Sequence, residues 1–478
     1  MSLEAKVVKG TKWVAFANVF KQILQVISLV IFARLLSPDD FGLFALLMIF
    51  VSFLTMFTDL GTASALVHIK DPTQKLLSSV LFFNLFIGFI FCLLLILSSP
   101  YIATFFNSPK LEPLLELISI NFIIMSLGVV QKVRYEKELD FKYLTLIESF
   151  AIFMGISSGI ILAILGFGVY SLVFQVLVTS LLSVGLLWRV SAWRPLFYFN
   201  INDIKKIWHY TANLSAFNLI NYFARNADNF LIGKFLSSSA LGVYSLAYNV
   251  MLYPIQNISR VLLRILFPAF SKIQDDNKKF KEAYLKTIFF ISLISFPIMS
   301  GLIATADIFV EVLFGDKWAN LAIILMILAP VGVIQSIGTT NGSIYMAKGN
   351  TALLLKVGIW STIVTVLFFI GGIFFGVEGV AISYLLSNIV LFYPVFKISW
   401  GQIDLSVAEG LAKILPILII STIMGLGVWV FGQWLNTIEL LSIIKLIMMV
   451  LLGKVVYISL IYFKYGNIKE LARGIKKS

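Results

Sequence analysis

Arg225 and Asp228 are opposite charges, three residues apart, in the mostly apolar segment NLINYFARNADNFLIGKFL at residues 218–236. Charged side chains in a membrane span are costly, so they pair with one another or line a pathway for a substrate. Two interpretations are therefore open. The two residues form a structural ion pair, or the Arg225 guanidinium binds an anionic group such as a phosphate while Asp228 orients it or exchanges places with the substrate.

The composition indicates that the whole chain is embedded in a membrane. Of its 478 residues, 59% are hydrophobic and only 13% are charged, whereas about 25% of a soluble domain is charged. The single Cys92 and the distant His68 and His209 do not support a disulfide or a His/Cys metal cluster. No GxxxxGK[ST] or HExxH motif occurs, so the sequence predicts neither nucleotide hydrolysis nor zinc-dependent proteolysis.

Apolar segments of about 20 residues, the length of a membrane-spanning helix, predict an all-α polytopic protein with about fourteen spans. The first seven are 13–33, 41–61, 77–97, 114–130, 144–165, 169–188 and 207–233. The other seven are 241–267, 284–304, 321–346, 353–375, 380–396, 414–431 and 440–463.

The placement of Lys and Arg supports this count, because cytoplasmic segments collect these residues. With the N-terminus inside, the inside segments hold 27 of the 37 Lys and Arg and the outside loops hold 4. Both termini are therefore predicted to be cytoplasmic. The net charge of +13 is spread over eight segments, so it does not call for a nucleic-acid partner.

An internal repeat relates two parallel halves. ARLLSPDDFGLFAL from Ala33 and GKFLSSSALGVYSL from Gly233 align at an offset of 200, and both fall on the outside turn after the first span of a half. The predicted organisation is an N-terminal six-helix half at 1–190, a cytoplasmic linker at 191–206, a C-terminal six-helix half at 207–400, and a two-helix hairpin with a basic tail at 401–478.

Each half begins with a span whose polar residues share one helical face at spacing i, i+3, i+4, i+7. They are Asn18, Lys21, Gln22 and Gln25 in the first span and Asn218, Asn221, Tyr222 and Arg225 in the seventh. Since polar groups are not satisfied by lipid, these stripes are expected to face the bundle interior or a water-filled cavity.

Other charges lie within the predicted spans. Lys21 is nine residues past Lys12, about 13 Å along a helix, and either extends back to the cytoplasmic interface or is a second cation in the cavity. Arg260 and Arg264 share a face near the cytoplasmic end of the eighth span. The acids Asp59 and Glu148 are candidates for ion coupling, but neither identifies an ion.

Three segments carry a family resemblance: FARLLSPDDFGLFALLMIFVSFLTMFTDLGTASALV at 32–67, QKVRYEKELDFKYL at 131–144 and SRVLLRILFPAFSKIQDD at 259–276. Together they resemble the polysaccharide exporters of the multidrug/oligosaccharidyl-lipid/polysaccharide superfamily. The sequence is most similar to the lipopolysaccharide biosynthesis flippases of the colanic-acid and teichuronic-acid exporter type. The resemblance covers essentially the whole chain.

This resemblance implies a V-shaped fold and a flippase that moves polyprenyl-diphosphate-linked oligosaccharides across a bacterial inner membrane by alternating access. The diphosphate would be bound by Arg225, Lys21, Arg260 and Arg264. The glycan would be bound by Asn18, Gln22, Gln25, Asn218, Asn221 and Asn229. Asp228, Asp59 and Glu148 would serve in coupling or ion pairs, with H⁺, Na⁺ or no ion left open.

The expected partners are the lipid-linked glycan and the bilayer, and a polysaccharide polymerase or assembly protein is left open as a protein partner. No metal or other cofactor is expected. The alternatives are a multidrug/cation antiporter of the same superfamily, a polysaccharide polymerase or ligase, and a lipid II flippase. Short outside loops disfavour an enzyme, and the excess of cations over anions in the spans disfavours a binder of cationic drugs.

Overall fold

The computed structural model describes residues 3–58, 62–138, 140–205, 222 and 226–466, and within them every regular element is helical. The first helices are α1 (Leu3–Leu35), α2 (Pro38–Thr58), α3 (Thr62–His68), α4 (Gln74–Phe105), α5 (Leu111–Lys137), α6 (Phe141–Ile164) and α7 (Tyr170–Val190). After a helix at 226–235 come α8 (Ser238–Lys272), α9 (Asn277–Leu313), α10 (Ala319–Gly338), α11 (Asn341–Ala347), α12 (Thr351–Gly372), α13 (Gly376–Gly401), α14 (Val407–Asn436) and α15 (Ser442–Tyr465).

Helices are expected here because a helix satisfies its own backbone donors and acceptors, which lipid cannot do. In the described part of the chain, eleven segments are long and apolar enough to cross a membrane. Large apolar side chains cover their outer surfaces, with Leu97 63% and Phe86 61% exposed. Contiguous exposed apolar surface of this kind matches lipid rather than water. The predicted all-α polytopic membrane fold is confirmed.

Helices coincide with the predicted spans except for the seventh, most of which lies outside the described residues, and the tenth, which two helices share. The longest apolar segment, Thr351–Gly401, consists of two helices, α12 and α13. A 3₁₀ turn at Ile373–Phe375 and Gly376, whose φ is 75°, separate them. A positive φ favours glycine, so Gly376 allows the chain to reverse. The total of fourteen spans and the cytoplasmic termini stay predictions.

The chain divides into two compact units, Met1–Gly242 and Val243–Ser478. In the first unit α4 packs against α5, α6 against α7, and α1 against α6. In the second unit α9 packs against α10 and α14, α12 against α13, and α14 against α15. The domain boundaries derived from the repeat stay predictions.

The repeated glycines of the first unit make a reciprocal close contact. A Cβ on Gly42 would lie 1.6 Å from the Ser238 carbonyl oxygen, and a Cβ on Gly242 would lie 1.9 Å from the Pro38 carbonyl oxygen. At the offset of 200, Gly42 corresponds to Gly242 and Pro38 to Ser238. The start of α2 and the start of α8 therefore cross backbone to backbone, and only glycine permits this approach at either position.

The predicted tenth span, 321–346, is interrupted, because α10 ends at Gly338 and α11 begins at Asn341. Buried polar groups hold this break. The Tyr284 hydroxyl donates to Asn341 Oδ1 at 3.0 Å, lies 2.7 Å from Thr340 Oγ1, and accepts from Trp400 Nε1 at 3.0 Å. The Thr340 hydroxyl also lies 2.6 Å from the Ile337 carbonyl, a local side chain–backbone bond of the kind that competes with a continuous helix, and the length of an apolar run does not reveal such contacts.

Candidate substrate-binding site

Two lysines share one carboxylate inside the first unit. Lys21 Nζ on α1 lies 2.6 Å from Glu148 Oε2, and Lys132 Nζ on α5 lies 3.1 Å from Glu148 Oε1. Glu148 is on α6, so three helices converge at this lysine–glutamate cluster. Each carboxylate oxygen accepts from one ammonium group, which is the arrangement that strengthens charged hydrogen bonds.

The lysine–glutamate cluster carries an excess of positive charge. Two ammonium groups and one carboxylate give a formal charge of +1, in surroundings where charges interact more strongly than in water. The Lys21 side chain is 17% exposed and that of Glu148 is 25% exposed, whereas that of Lys132 is 49% exposed. The cluster therefore has a buried end at Lys21 and an open end at Lys132, where Glu136, one turn further along α5, also interacts electrostatically with Lys132.

The sequence identified Lys21 and Glu148 separately, and the structure brings them together. Both interpretations of Lys21, extension toward the cytoplasmic interface and a second cation in the cavity, stay predictions. The sequence pattern does not identify Lys132 as a site residue. The predicted fourth span ends at residue 130, which puts Lys132 among the cytoplasmic charges. Helix α5 continues to Lys137, which carries Lys132 onto the helix wall facing Glu148. The signal available in the sequence was the helix-compatible run VVQKVRYEK at 129–137.

The amides of the first polar stripe lie on the same helix as Lys21. Asn18 and Gln25 are exposed on α1, and Gln22 is half-buried. The Gln25 carbonyl accepts a hydrogen bond from Ser28 Oγ at 2.9 Å, one turn further along. The stripe is therefore accessible in the first unit, adjacent to the lysine–glutamate cluster.

The second polar stripe is described only in part. Arg225, Asn218 and Asn221 lie outside the described residues, as does Asp59. Asp228 is 4% exposed, and its Oδ1 accepts from the Asn229 backbone amide at 2.8 Å. Among the described residues, the buried Asn229 Oδ1 has no hydrogen-bond donor.

Tyr222 connects the second polar stripe to α2. Its hydroxyl donates to the Ile49 carbonyl, and its own carbonyl accepts from Asn226 Nδ2 at 2.9 Å. The seventh-span stripe is thus fastened to α2 at Tyr222, the position that corresponds to Gln22 in the repeat.

Helix α8 has a third polar stripe, of which the sequence pattern identified only Arg260 and Arg264. Arg260 and Arg264 lie on α8, and their side chains are outside the described set. One to three turns earlier on the same face are Asn249, Tyr253, Gln256 and Asn257. Asn257 Nδ2 donates to the Tyr253 carbonyl at 2.9 Å. The spacing of these residues at three, four and seven was the signal that could have found them.

The arrangement offers electrostatic and hydrogen-bonding contacts. In the first unit, the lysine–glutamate cluster provides ammonium groups for an anion, and the amides of the α1 stripe provide hydrogen-bonding groups for a polar ligand. Among the described residues, no group of three or more His, Cys, Asp and Glu side chains is placed to bind a metal.

Comparison with known sequences decides the family. The model of a family described as "Polysaccharide biosynthesis protein" matches residues 31–323. The chain belongs to this polysaccharide biosynthesis family. It is 29% identical over 444 residues to the lipopolysaccharide biosynthesis protein WzxC of Escherichia coli K12, covering 89% of each chain. It is 30% identical over 357 residues to the teichuronic acid biosynthesis protein TuaB of Bacillus subtilis, covering 74% of this chain and 73% of TuaB.

Solved structures place this member of the polysaccharide biosynthesis family in a known fold. The lipid II flippase MurJ, in an inward closed conformation, matches 94% of this chain and 98% of its own, with a TM-score of 0.77 and 18% identity. An inward-facing multidrug resistance MATE family transporter of the MOP superfamily matches 80% of this chain and 94% of its own, with a TM-score of 0.63 and 18% identity. The fold is thus that of the predicted superfamily, and the chain is a multi-pass membrane protein.

Proposed function

We propose that this protein is a flippase that moves polyprenyl-diphosphate-linked oligosaccharide units across a bacterial inner membrane for surface polysaccharide synthesis. Its relatives in the family are named for polysaccharide biosynthesis, and ExoT of Rhizobium meliloti, 28% identical over 313 residues, is named as a succinoglycan transport protein. The observation that carries the proposal at the level of residues is the pair of lysines around Glu148 inside the membrane-spanning helices.

The lysine–glutamate cluster suits a diphosphate because the substrate can replace the carboxylate that the lysines already hold. Lys21 and Lys132 are the first cations that we assign to the diphosphate, and Glu148 is their resident counter-ion. When a phosphate arrives, the ammonium groups exchange one anionic oxygen for another. Such an exchange avoids leaving the mostly buried Lys21 unpaired, which would be costly.

Further contacts are assigned by their place on the polar stripes. Arg225, Arg260 and Arg264 are proposed as additional cations for the diphosphate. Glycan hydroxyls are proposed to bind Asn18, Gln22, Gln25, Asn218, Asn221 and Asn229. Translocation requires no bond to be made or broken, and alternating access supplies the movement. The lipid tail stays in the bilayer, where its hydrocarbon is already solvated.

A second candidate function is the flipping of lipid II. The structural similarity to MurJ, with a TM-score of 0.77, favours this candidate. A multidrug/cation antiporter is favoured only by the MATE fold, whereas the family relatives are named for polysaccharides.

Transport by purified protein in proteoliposomes tests the proposal. The substrate is a polyprenyl-diphosphate oligosaccharide with a fluorophore on the glycan, and a membrane-impermeant quencher reports its leaflet. We expect protein-dependent movement that Lys21→Met reduces at least tenfold, because a charge-assisted contact contributes about 1.5–3 kcal/mol. Lys454→Met is the matched control, since Lys454 is an exposed cation on α15.

Three outcomes would contradict the assignment. Transport at the wild-type rate by a folded Lys21→Met protein would mean that Lys21 does not bind the substrate. Equal loss in the Lys454→Met control would show an unspecific effect of charge. Movement of lipid II but not of the lipid-linked oligosaccharide would show that lipid II is the substrate.

A further inference from the structure

A cleft outside the lysine–glutamate cluster opens in the first unit between three chain segments. Its walls are the connection from α3 to α4, the C-terminal end of α5, and the segment that follows α7. The cleft has a volume of about 400 Å³, and its lining includes Lys70, Asp71, Arg134, Lys137, Glu138 and Trp193. We call it the linker cleft. Its volume lies in the range of about 300–1,000 Å³ that is typical of small-ligand sites.

Hydrogen bonds across the linker cleft fix its walls. Trp193 Nε1 donates to Gln74 Oε1 at 2.5 Å, and Gln74 Nε2 donates to the Arg194 carbonyl at 2.5 Å. The Lys137 ammonium donates to the Ile69 carbonyl. Segment 191–200 is therefore fastened to the start of α4, and α5 is fastened to the α3–α4 connection. These hydrogen bonds connect the walls of the cleft to one another.

The two chain segments that continue from the linker cleft, the first turns of α4 and the segment after Trp193, carry the side chains of a membrane–water interface. Phe197 is fully exposed at 104% and stacks on Phe82 of α4, with ring centroids 6.3 Å apart. The Lys75 ammonium lies 5.2 Å from the centre of the Tyr198 ring. Exposed aromatic rings beside basic residues are typical of the headgroup level of a bilayer. The topology predicted from Lys and Arg puts this level on the cytoplasmic side.

The charge of the linker cleft favours an anion. Lys70, Arg134 and Lys137 face Asp71 and Glu138, so cations are in excess by one. Helix α4 begins at the cleft, and the partial positive charge of its N-terminus adds to that excess. Arg134 Nη2 lies 3.6 Å from Glu138 Oε1 at a partly exposed position, a distance that allows the guanidinium to bind another oxygen.

We propose that the linker cleft binds the phosphate headgroup of an anionic membrane phospholipid. Basic pockets at the cytoplasmic ends of membrane helices suit such headgroups. The exposed Phe197, four residues after the cleft residue Trp193, suits the headgroup level, and the bound lipid would brace segment 191–200 against α4. A lipid-linked diphosphate shares this phosphate chemistry, but the proposal commits to the resident phospholipid. It does not depend on what the protein transports.

Binding of defined lipids to the full-length protein in detergent, followed by native mass spectrometry, tests the proposal. The probes are phosphatidylglycerol, phosphatidylethanolamine and a short-chain polyprenyl diphosphate. The test variant is Lys70→Gln with Arg134→Gln. The matched control is Arg189→Gln with Lys205→Gln, because these two exposed cations lose the same charge on the same predicted side without lining the cleft.

We expect wild type and control to prefer phosphatidylglycerol to phosphatidylethanolamine, and the test variant to bind phosphatidylglycerol about 25-fold more weakly. Equal binding of the two phospholipids, or equal loss in the control, would overturn the proposal. Binding of the polyprenyl diphosphate without phosphatidylglycerol would also overturn it and would assign the cleft to substrate entry. If the double variant does not fold, Lys70→Gln alone is used, since Lys70 is exposed; its binding must then fall about fivefold, and unchanged binding would overturn the proposal.

Discussion

Replacing Glu148 by Gln tests whether its carboxylate holds the place that a substrate phosphate takes. In the structure one carboxylate oxygen binds Lys21 at 2.6 Å and the other binds Lys132 at 3.1 Å. Glutamine has nearly the same shape and no charge. The formal charge of the lysine–glutamate cluster therefore changes from +1 to +2, while the space available to a ligand stays the same.

Coulomb's law gives the expected size of the effect. For a phosphate that bridges the two lysines, we take the displaced carboxylate to lie about 6 Å away, the outer end of the range over which neighbouring charges act strongly on one another. At this separation two unit charges repel by about 0.7 kcal/mol at a dielectric constant of 80 and by about 2.8 kcal/mol at 20. Removing the repulsion should tighten diphosphate binding by about 3-fold to 100-fold.

The assay measures the affinity of purified protein for farnesyl diphosphate by calorimetry, together with transport in proteoliposomes. Glu148→Gln should bind more tightly and transport more slowly, because tighter binding mainly slows release. Glu378→Gln is the control, since Glu378 is an exposed carboxylate in the first turn of α13. Its affinity should change by less than about twofold, because distant exposed charges are screened.

Unchanged or weaker binding by a folded Glu148→Gln protein would refute the reasoning. It would mean that the carboxylate supports the lysines structurally and does not compete with the ligand. Thermal unfolding without ligand separates this result from simple misfolding.

Three other changes have defined expected outcomes. Gly42→Leu should prevent folding, because its side chain would collide with the Ser238 backbone. Gly371→Leu, with open space around it, should still fold. The yield of each variant in a membrane fraction checks this, and a normal yield of Gly42→Leu would contradict the close crossing of α2 and α8. Tyr284→Phe should lower the free energy of unfolding by about 1–3 kcal/mol, because it leaves buried polar partners unsatisfied. Denaturant unfolding in detergent checks this, and an unchanged unfolding midpoint would mean that the Tyr284 hydrogen bonds do not stabilise the fold. Arg225→Ala should abolish transport in a folded protein and Arg225→Lys should restore part of it; loss of folding that removal of Asp228 restores would favour the structural ion pair.

The sequence predicted the helices well because their signal is local. An apolar run of about 20 residues is enough to predict a span, and α4, α6 and α9 each cover such a run. The break between α10 and α11 was not predictable in this way. It depends on Tyr284 and Trp400, which are distant in sequence and reach Thr340 and Asn341 only in the folded protein.

The candidate site was predictable residue by residue but not as a cluster. Lys21 and Glu148 were recognisable as charges in apolar segments, yet their contact joins positions 127 residues apart, which no helical periodicity encodes. Lys132 could not be recognised as a site residue, because Lys and Arg are common at the cytoplasmic ends of membrane helices whatever their function. Its role depends on how far α5 extends, and helix ends are the least certain part of a prediction from sequence.

The most direct test of the flippase account is to delete the gene in a host without redundant flippases and to locate its polyprenyl-diphosphate oligosaccharides. Mass spectrometry resolved by membrane face is combined with measurement of surface polysaccharide. The account predicts that one defined repeat unit accumulates on the cytoplasmic face while its surface polymer is lost. Accumulation on the outer face would contradict it by moving the defect to polymerisation or ligation, and unchanged pools on both faces would contradict it by removing the lipid-linked glycan as the substrate.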